Sequence, residues 1–305
     1  MTQLESSIRL PRPRSAVSIS FENGARIAIV HTTLIVVCCV VGFLCWTAAI
    51  SFTSSTLFPV ADFSGFDEYR RLFESARWRA AIQNLLVYAS CSIAICITLG
   101  YLLAILVSRV IEWERVYRAL FLFPLAVSFV ATGLVWQWLL NPVSGIEHSL
   151  RHLGFPEASF DWLVRPDRAI FTLVTACVWQ QTGMCAGLFL AGMRGIDLQL
   201  MKAVRVEGIP PWRVHVHIIA PILRPVFFTV VVLLFAVTAK SYDLVVTLTG
   251  GGPGFSSDLP SRFIVDQIGR QQLGLSAAGA VVLILLMALL LAPYLRAEFR
   301  RHSLR

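Results

Sequence analysis

The sequence predicts an all-α polytopic membrane protein with six transmembrane helices. One basis is composition: the 305 residues are 56% hydrophobic and 14% charged, and mean hydropathy is +0.71. A soluble domain carries about 25% charged residues because its surface faces water, so much of this surface must face lipid. The other basis is spacing. No Asp, Glu, Lys or Arg occurs in 27–61, 80–108, 119–146, 169–193, 225–239 or 271–295. A charge at the bilayer centre costs at least about 2.5–3.5 kcal/mol, so spans appear as such gaps. Barrel strands would alternate in segments of ~10 residues, whereas these runs are continuous.

Residues 1–27 form an N-terminal tail and 28–50 the first span. Its apolar stretch exceeds the ~7–15 residues of a signal-peptide core, so it is retained. An external loop covers 51–81, and the remaining spans form a core at 82–295: 82–108, 117–139, 169–191, 225–247 and 274–295. The fifth is drawn through Lys240 and Asp243, because apolar sequence resumes at 244–248. Residues 296–305 are a C-terminal tail. An even span number puts both termini on one side. That side holds sixteen Arg and Lys against nine on the other, so positive-inside makes both termini cytoplasmic. The net charge of +8 then reflects topology. No basic stripe with interleaved aromatics points to nucleic acid.

Several chemistries are excluded. The seven cysteines all fall within spans and read as small apolar packing residues, not a disulfide or zinc framework. His215 and His217 are two apart and diverge on a helix. The only lysines, Lys202 and Lys240, follow Met201 and Ala239, so no phosphate-binding G-x-x-x-x-G-K-[ST] loop exists. The run from Gly250 to Gly254 contains Pro253, which removes a backbone donor; it reads as a helix stop and tight turn. Energy for uphill transport would have to come from another chain. The longer cytoplasmic loop, 192–224, holds a short amphipathic helix at Leu198–Val206, a break at Gly208 and a restart at Pro210-Pro211, since Pro suits a first helical turn. Helix–Gly–helix at a membrane face makes a rigid knob.

The segment from Lys202, Ala203, Val204 and Arg205 to Glu207 and Gly208, with Trp212 and Ala220-Pro221 after it, resembles the EAA loop of ABC-importer permeases. Ala203, Gly208 and Pro221 match that pattern and Glu207 keeps the charge of its Asp, while Lys202 stands for the leading Glu, Val204 for the second Ala, Ile209 for the last Ala and Ala220 for Leu. Other segments agree in order: Phe66-Asp67-Glu68-Tyr69 before the second span, Phe121-Leu122-Phe123-Pro124 opening the third and Asn141-Pro142 closing it. Lys240-Ser241-Tyr242-Asp243, leading to Leu248-Thr249-Gly250-Gly251-Gly252-Pro253, is similar to a segment of one permease subunit in maltose- and glycerol-phosphate-type importers. The likeness spans about 58–295 and is greatest to glucose/mannose-type sugar permeases.

The resemblance implies a type I ABC importer permease fold in the bacterial cytoplasmic (inner) membrane, with no catalytic site of its own. Partners would be a second homologous permease, an ABC ATPase dimer holding ATP and Mg, an extracytoplasmic sugar-binding protein and the lipid bilayer. Lys202, Ala203, Arg205, Glu207, Gly208 and Trp212 would couple to the ATPase. Sugars need amide or hydroxyl groups beside aromatics, so Trp179, Gln180 and Gln181 on the fourth span and Thr238, Ser241 and Tyr242 on the fifth are candidates for the substrate path. The alternative for these is interhelical hydrogen bonding, while Trp136 and Trp138, near the end of the third span, read as an interfacial belt. Lys240 and Asp243, three apart, would pair on one helix face, as structural glue or as an outer gate. A polyol or glycerol-phosphate substrate, a peptide, and a stand-alone channel or secondary carrier are the competing functions.

Overall fold

A computed structural model describes residues 15–60, 62–109, 114–154 and 161–302. Contacts divide the chain at Ala49/Ile50. The first unit is dominated by helix α1 (Ser15–Ile50). Ile29, Leu34, Phe43 and Trp46 along it are exposed, the composition expected of a lipid-facing span.

The second unit begins with an aromatic loop. Phe52 packs edge-on to Phe66 at 5.4 Å and against Tyr69 at 5.5 Å, and Ser51 Oγ lies 2.7 Å from the Tyr69 hydroxyl. A short amphipathic helix, α2 (Asp67–Glu74), follows. Then α3 (Ala76–Arg109) runs against α7 (Ala169–Arg194), the most buried span. Small residues let these backbones approach without a hydrophobic driving force in lipid. A Cβ at Gly100 would lie 2.6 Å from Cys185 Cβ. Cys96, Cys177 and Cys185 are buried in this seam, as the packing reading expects, whereas Cys38, Cys39 and Cys45 on α1 are exposed.

The third span is not one rod. Its halves α4 (Glu114–Ala126) and α5 (Phe129–Leu139) meet at 94°. Pro124 withholds a donor near the break, and Ser128 N-caps α5 by accepting from the Ala131 N–H at 3.2 Å. A freed carbonyl in the membrane must find a partner; Gln180 Nε2 donates to Val127 O at 2.6 Å. The continuous helix expected over 117–139 is therefore corrected to a broken one. Next come the short α6 (Ile146–His152) and a 3-10 turn at Asp161–Leu163.

After α7 the chain forms the expected knob: α8 (Leu198–Val206), a turn with Gly208 at φ +67°, and α9 (Pro211–Val214) with Pro210 as N-cap. A π-helical turn at His215–Ile219 leads through α10 (Ala220–Ile222) into α11 (Arg224–Ala239). The fifth span also departs from expectation. α11 stops at Lys240, and α12 (Tyr242–Leu248) starts a new helix that packs on α5. There a Cβ on Gly133 would overlap the Thr247 side chain. Gly250, Gly251 and Gly254 take positive φ in the turn that follows, as its sequence predicts. α13 (Pro260–Gly269) and α14 (Leu273–His302) complete the unit, the last helix running past the expected end at 295.

Candidate translocation path and coupling surface

The knob has two faces. Inward, Ile196, Val204, Val214, Ile219 and Leu223 form a buried apolar cluster, with Met193, Tyr101 and Phe227 packed beneath. This seats α8 and α9 on the ends of α3, α7 and α11. Outward, Lys202, Ala203, Glu207 and Gly208 are exposed. Val206 is 88% and Trp212 60% exposed, apolar surface of the kind that marks an interaction site. Arg213 lies over the Trp212 ring at 5.2 Å. The Arg205 side chain lies outside the described residues.

Within the membrane, Gln180 and Gln181 are each 2% exposed. Gln180 uses its amide nitrogen on the break of the third span, while Gln180 Oε1, Gln181 Oε1 and Thr132 Oγ1 are buried without a hydrogen-bond partner among the described residues. Such acceptors are costly in a low-dielectric interior unless a donor reaches them. Trp179 is 39% exposed and meets Trp136 edge-on at 6.3 Å. Trp136 is thus paired with Trp179, whereas Trp138, 76% exposed, does not join them.

Thr238 and Ser241 are buried. Their hydroxyls donate to Phe235 O and Val237 O of their own helix, both at 2.9 Å, and Ser241 Oγ is 3.2 Å from the Tyr88 hydroxyl. These bonds close the C-terminal end of α11, and Tyr242 beside them is half-buried. Lys240 and Asp243 do not pair. Both are exposed, and no ion pair joins them among the described residues. The three-residue spacing shares a face only on an unbroken helix, and the chain breaks between them.

The strongest polar site escaped the sequence reading. Asp258, fully buried, accepts from Arg77 Nε at 2.5 Å, Arg262 Nη1 at 3.3 Å and the Leu259 N–H at 3.2 Å. Arg77 Nη2 also reaches Asp266 at 2.6 Å. Asn84 Nδ2 donates to Phe255 O and Asp258 O. A Cβ on Gly251 would occupy the place of the Arg262 guanidinium. The network ties the start of α3 to the glycine turn and α13. Its only sequence signal was an arginine just before a span, far from its acid partners.

Broken apolar helices around buried amides, with a two-faced knob at one end, define a multi-pass transport permease rather than a closed bundle. The chain belongs to the family of binding-protein-dependent transport system inner membrane components, whose model matches residues 96–301. Its fold is that of an ABC importer permease: it superimposes with TM-score 0.75 on a bacterial ABC transporter involved in alginate import, at 18% identity, covering 95% of this chain and 99% of that one. A second alginate transporter structure, in complex with an alginate pentasaccharide-bound periplasmic protein, matches with TM-score 0.66 and 20% identity over 75% of this chain and 81% of that one. Among relatives, a probable ABC transporter permease of Pyrococcus horikoshii is 29% identical, covering 84% of this chain and 88% of its own length. A xylose/arabinose import permease of Haloferax volcanii is 30% identical, with 84% and 82% covered. An sn-glycerol-3-phosphate permease of Yersinia pseudotuberculosis is 28% identical, with 80% and 85% covered.

Proposed function

We propose that the chain is one of two homologous permease subunits of an ATP-driven importer in the bacterial cytoplasmic membrane, with both termini cytoplasmic. It carries a mono- or oligosaccharide, glucose- or mannose-like, handed over by an extracytoplasmic binding protein, while a separate ATPase dimer binds ATP and Mg. The observation that carries this reading is the knob, which is anchored by Val204, Val214 and Leu223 yet presents Val206, Glu207, Gly208 and Trp212 outward. A surface so built seats in a partner's cleft, and Glu207 offers a carboxylate to a basic group there. The side chains named for the path, Trp179, Gln180, Gln181, Thr238, Ser241 and Tyr242, are all uncharged, which favours a neutral sugar over a phosphorylated polyol. The xylose/arabinose import permease among the relatives supports a sugar as the substrate class.

The test is reconstitution with the neighbouring permease, ATPase and binding protein in proteoliposomes. Uptake of labelled sugar should require ATP and binding protein and should stop with vanadate. Uptake that persists without the ATPase would overturn the importer reading; uptake of glycerol phosphate in preference to sugar would overturn the substrate.

A further inference from the structure

One face of α11 lines an apolar groove of about 680 Å³ between α3 and α14. Phe228, Val232, Ala236 and Lys240 lie along its floor at four-residue spacing, with Ile93 of α3 and Met287 of α14 on its walls. At 1.5 Å per residue, the floor from Phe228 to Lys240 is roughly 18 Å long. One leaflet contributes about half of a ~30 Å hydrocarbon core, so the groove matches the depth of a single leaflet. Apart from Ser90, whose hydroxyl donates to Val87 O, the lining is apolar up to Lys240 at its end, which is exposed and has no carboxylate partner among the described residues.

We infer that this groove is a binding site for an anionic glycerophospholipid, with one acyl chain along α11 and the head-group phosphate on the Lys240 ammonium. The lining disfavours water and the chain length fits. The lysine at the end of the groove supplies the complementary charge, and a lysine stem can lie along apolar surface while its ammonium reaches a head group. A transmembrane helix of another subunit fits less well. It would cover Lys240 with hydrocarbon and supply no anion, leaving a desolvated charge uncompensated. That the lipid belongs to the outer leaflet rests on the orientation proposed above; the site itself does not.

The test is native mass spectrometry of the intact transporter, titrated with phosphatidylglycerol or with phosphatidylcholine of the same chains. Wild type should retain phosphatidylglycerol over phosphatidylcholine. Lys240→Gln should lower phosphatidylglycerol affinity about tenfold, the effect of losing a hydrogen bond between charged groups, and leave phosphatidylcholine unchanged. Equal phosphatidylglycerol retention by wild type and Lys240→Gln would overturn the inference. A photo-crosslinker in place of Val232, with Lys240 intact, should label lipid; crosslinking to another protein chain would also overturn it. Neither readout depends on sugar import, so failure of the proposed transport activity remains distinguishable.

Discussion

At one end of α11 the knob rests on Ile196, Val204, Val214, Ile219 and Leu223; at the other, the glycine turn and α13 hang on the Asp258 carboxylate. Both ends are held to the same core, but by opposite chemistry. The apolar seat is non-directional, so it resists separation more than sliding. The Arg77–Asp258–Asp266 network is directional, with Arg77 and Asp258 buried and Asp266 half-buried. The difference teaches where the molecule can move: the knob, proposed above to follow a partner, sits on a greasy bearing, while the opposite end is pinned.

The comparison is broken most severely at the pin. Asp258→Leu takes the fully buried acid from Arg77 and leaves only the half-buried Asp266 to pair with it; removing one partner of a buried pair costs about 3–5 kcal/mol, so folded yield and thermal stability in detergent should fall sharply. A double change, Arg77→Met with Asp258→Leu, should recover much of that loss, since replacing a whole buried pair is far less costly. At the knob, Gly208→Val should cost about 1–2 kcal/mol, because Gly208 holds φ +67° and a β-branched residue resists that region. No atom lies within 4 Å of the added Cβ, so the strain is conformational. The protein should therefore reach the membrane but lose the ATPase on purification, whereas Gly208→Asn, which tolerates positive φ, should keep it. If both variants retain the ATPase equally, the knob is not the coupling surface.

Between the two ends, Gln180→Leu removes the donor to Val127 O. Intramembrane hydrogen bonds average about 0.6 kcal/mol and reach ~1.7, so the stability loss should be modest. Loss of sugar uptake beyond the loss of folded protein would assign Gln180 to the path; uptake tracking yield would leave it as a brace for the break. The smallest effect belongs to Lys240 and Asp243. Because they do not pair, Lys240→Met and Asp243→Leu should be additive in stability within about 0.3–0.5 kcal/mol, with no rescue in the double variant. Rescue would restore the ion pair that the break at Ser241 removes.

The sequence by itself determined the fold class, the order of apolar segments and the knob. These depend on local quantities: charge excluded from hydrocarbon, glycine where φ is positive at Gly208 and Gly250, and proline at the start of α9. It also brought Gln180, Gln181 and Trp179 to attention, because amides and aromatics are conspicuous in an apolar run. Only the tertiary structure decided where helices break and which polar groups meet. Residues 124–128 end α4 because Gln180, 53 positions from Val127, satisfies the freed carbonyl. Arg77 is held by Asp258, 181 positions away, and Lys240 is separated from Asp243 although they are near neighbours in sequence. A broken span and a buried charge are each tolerated only when a distant group satisfies them, and no local pattern records which group that is.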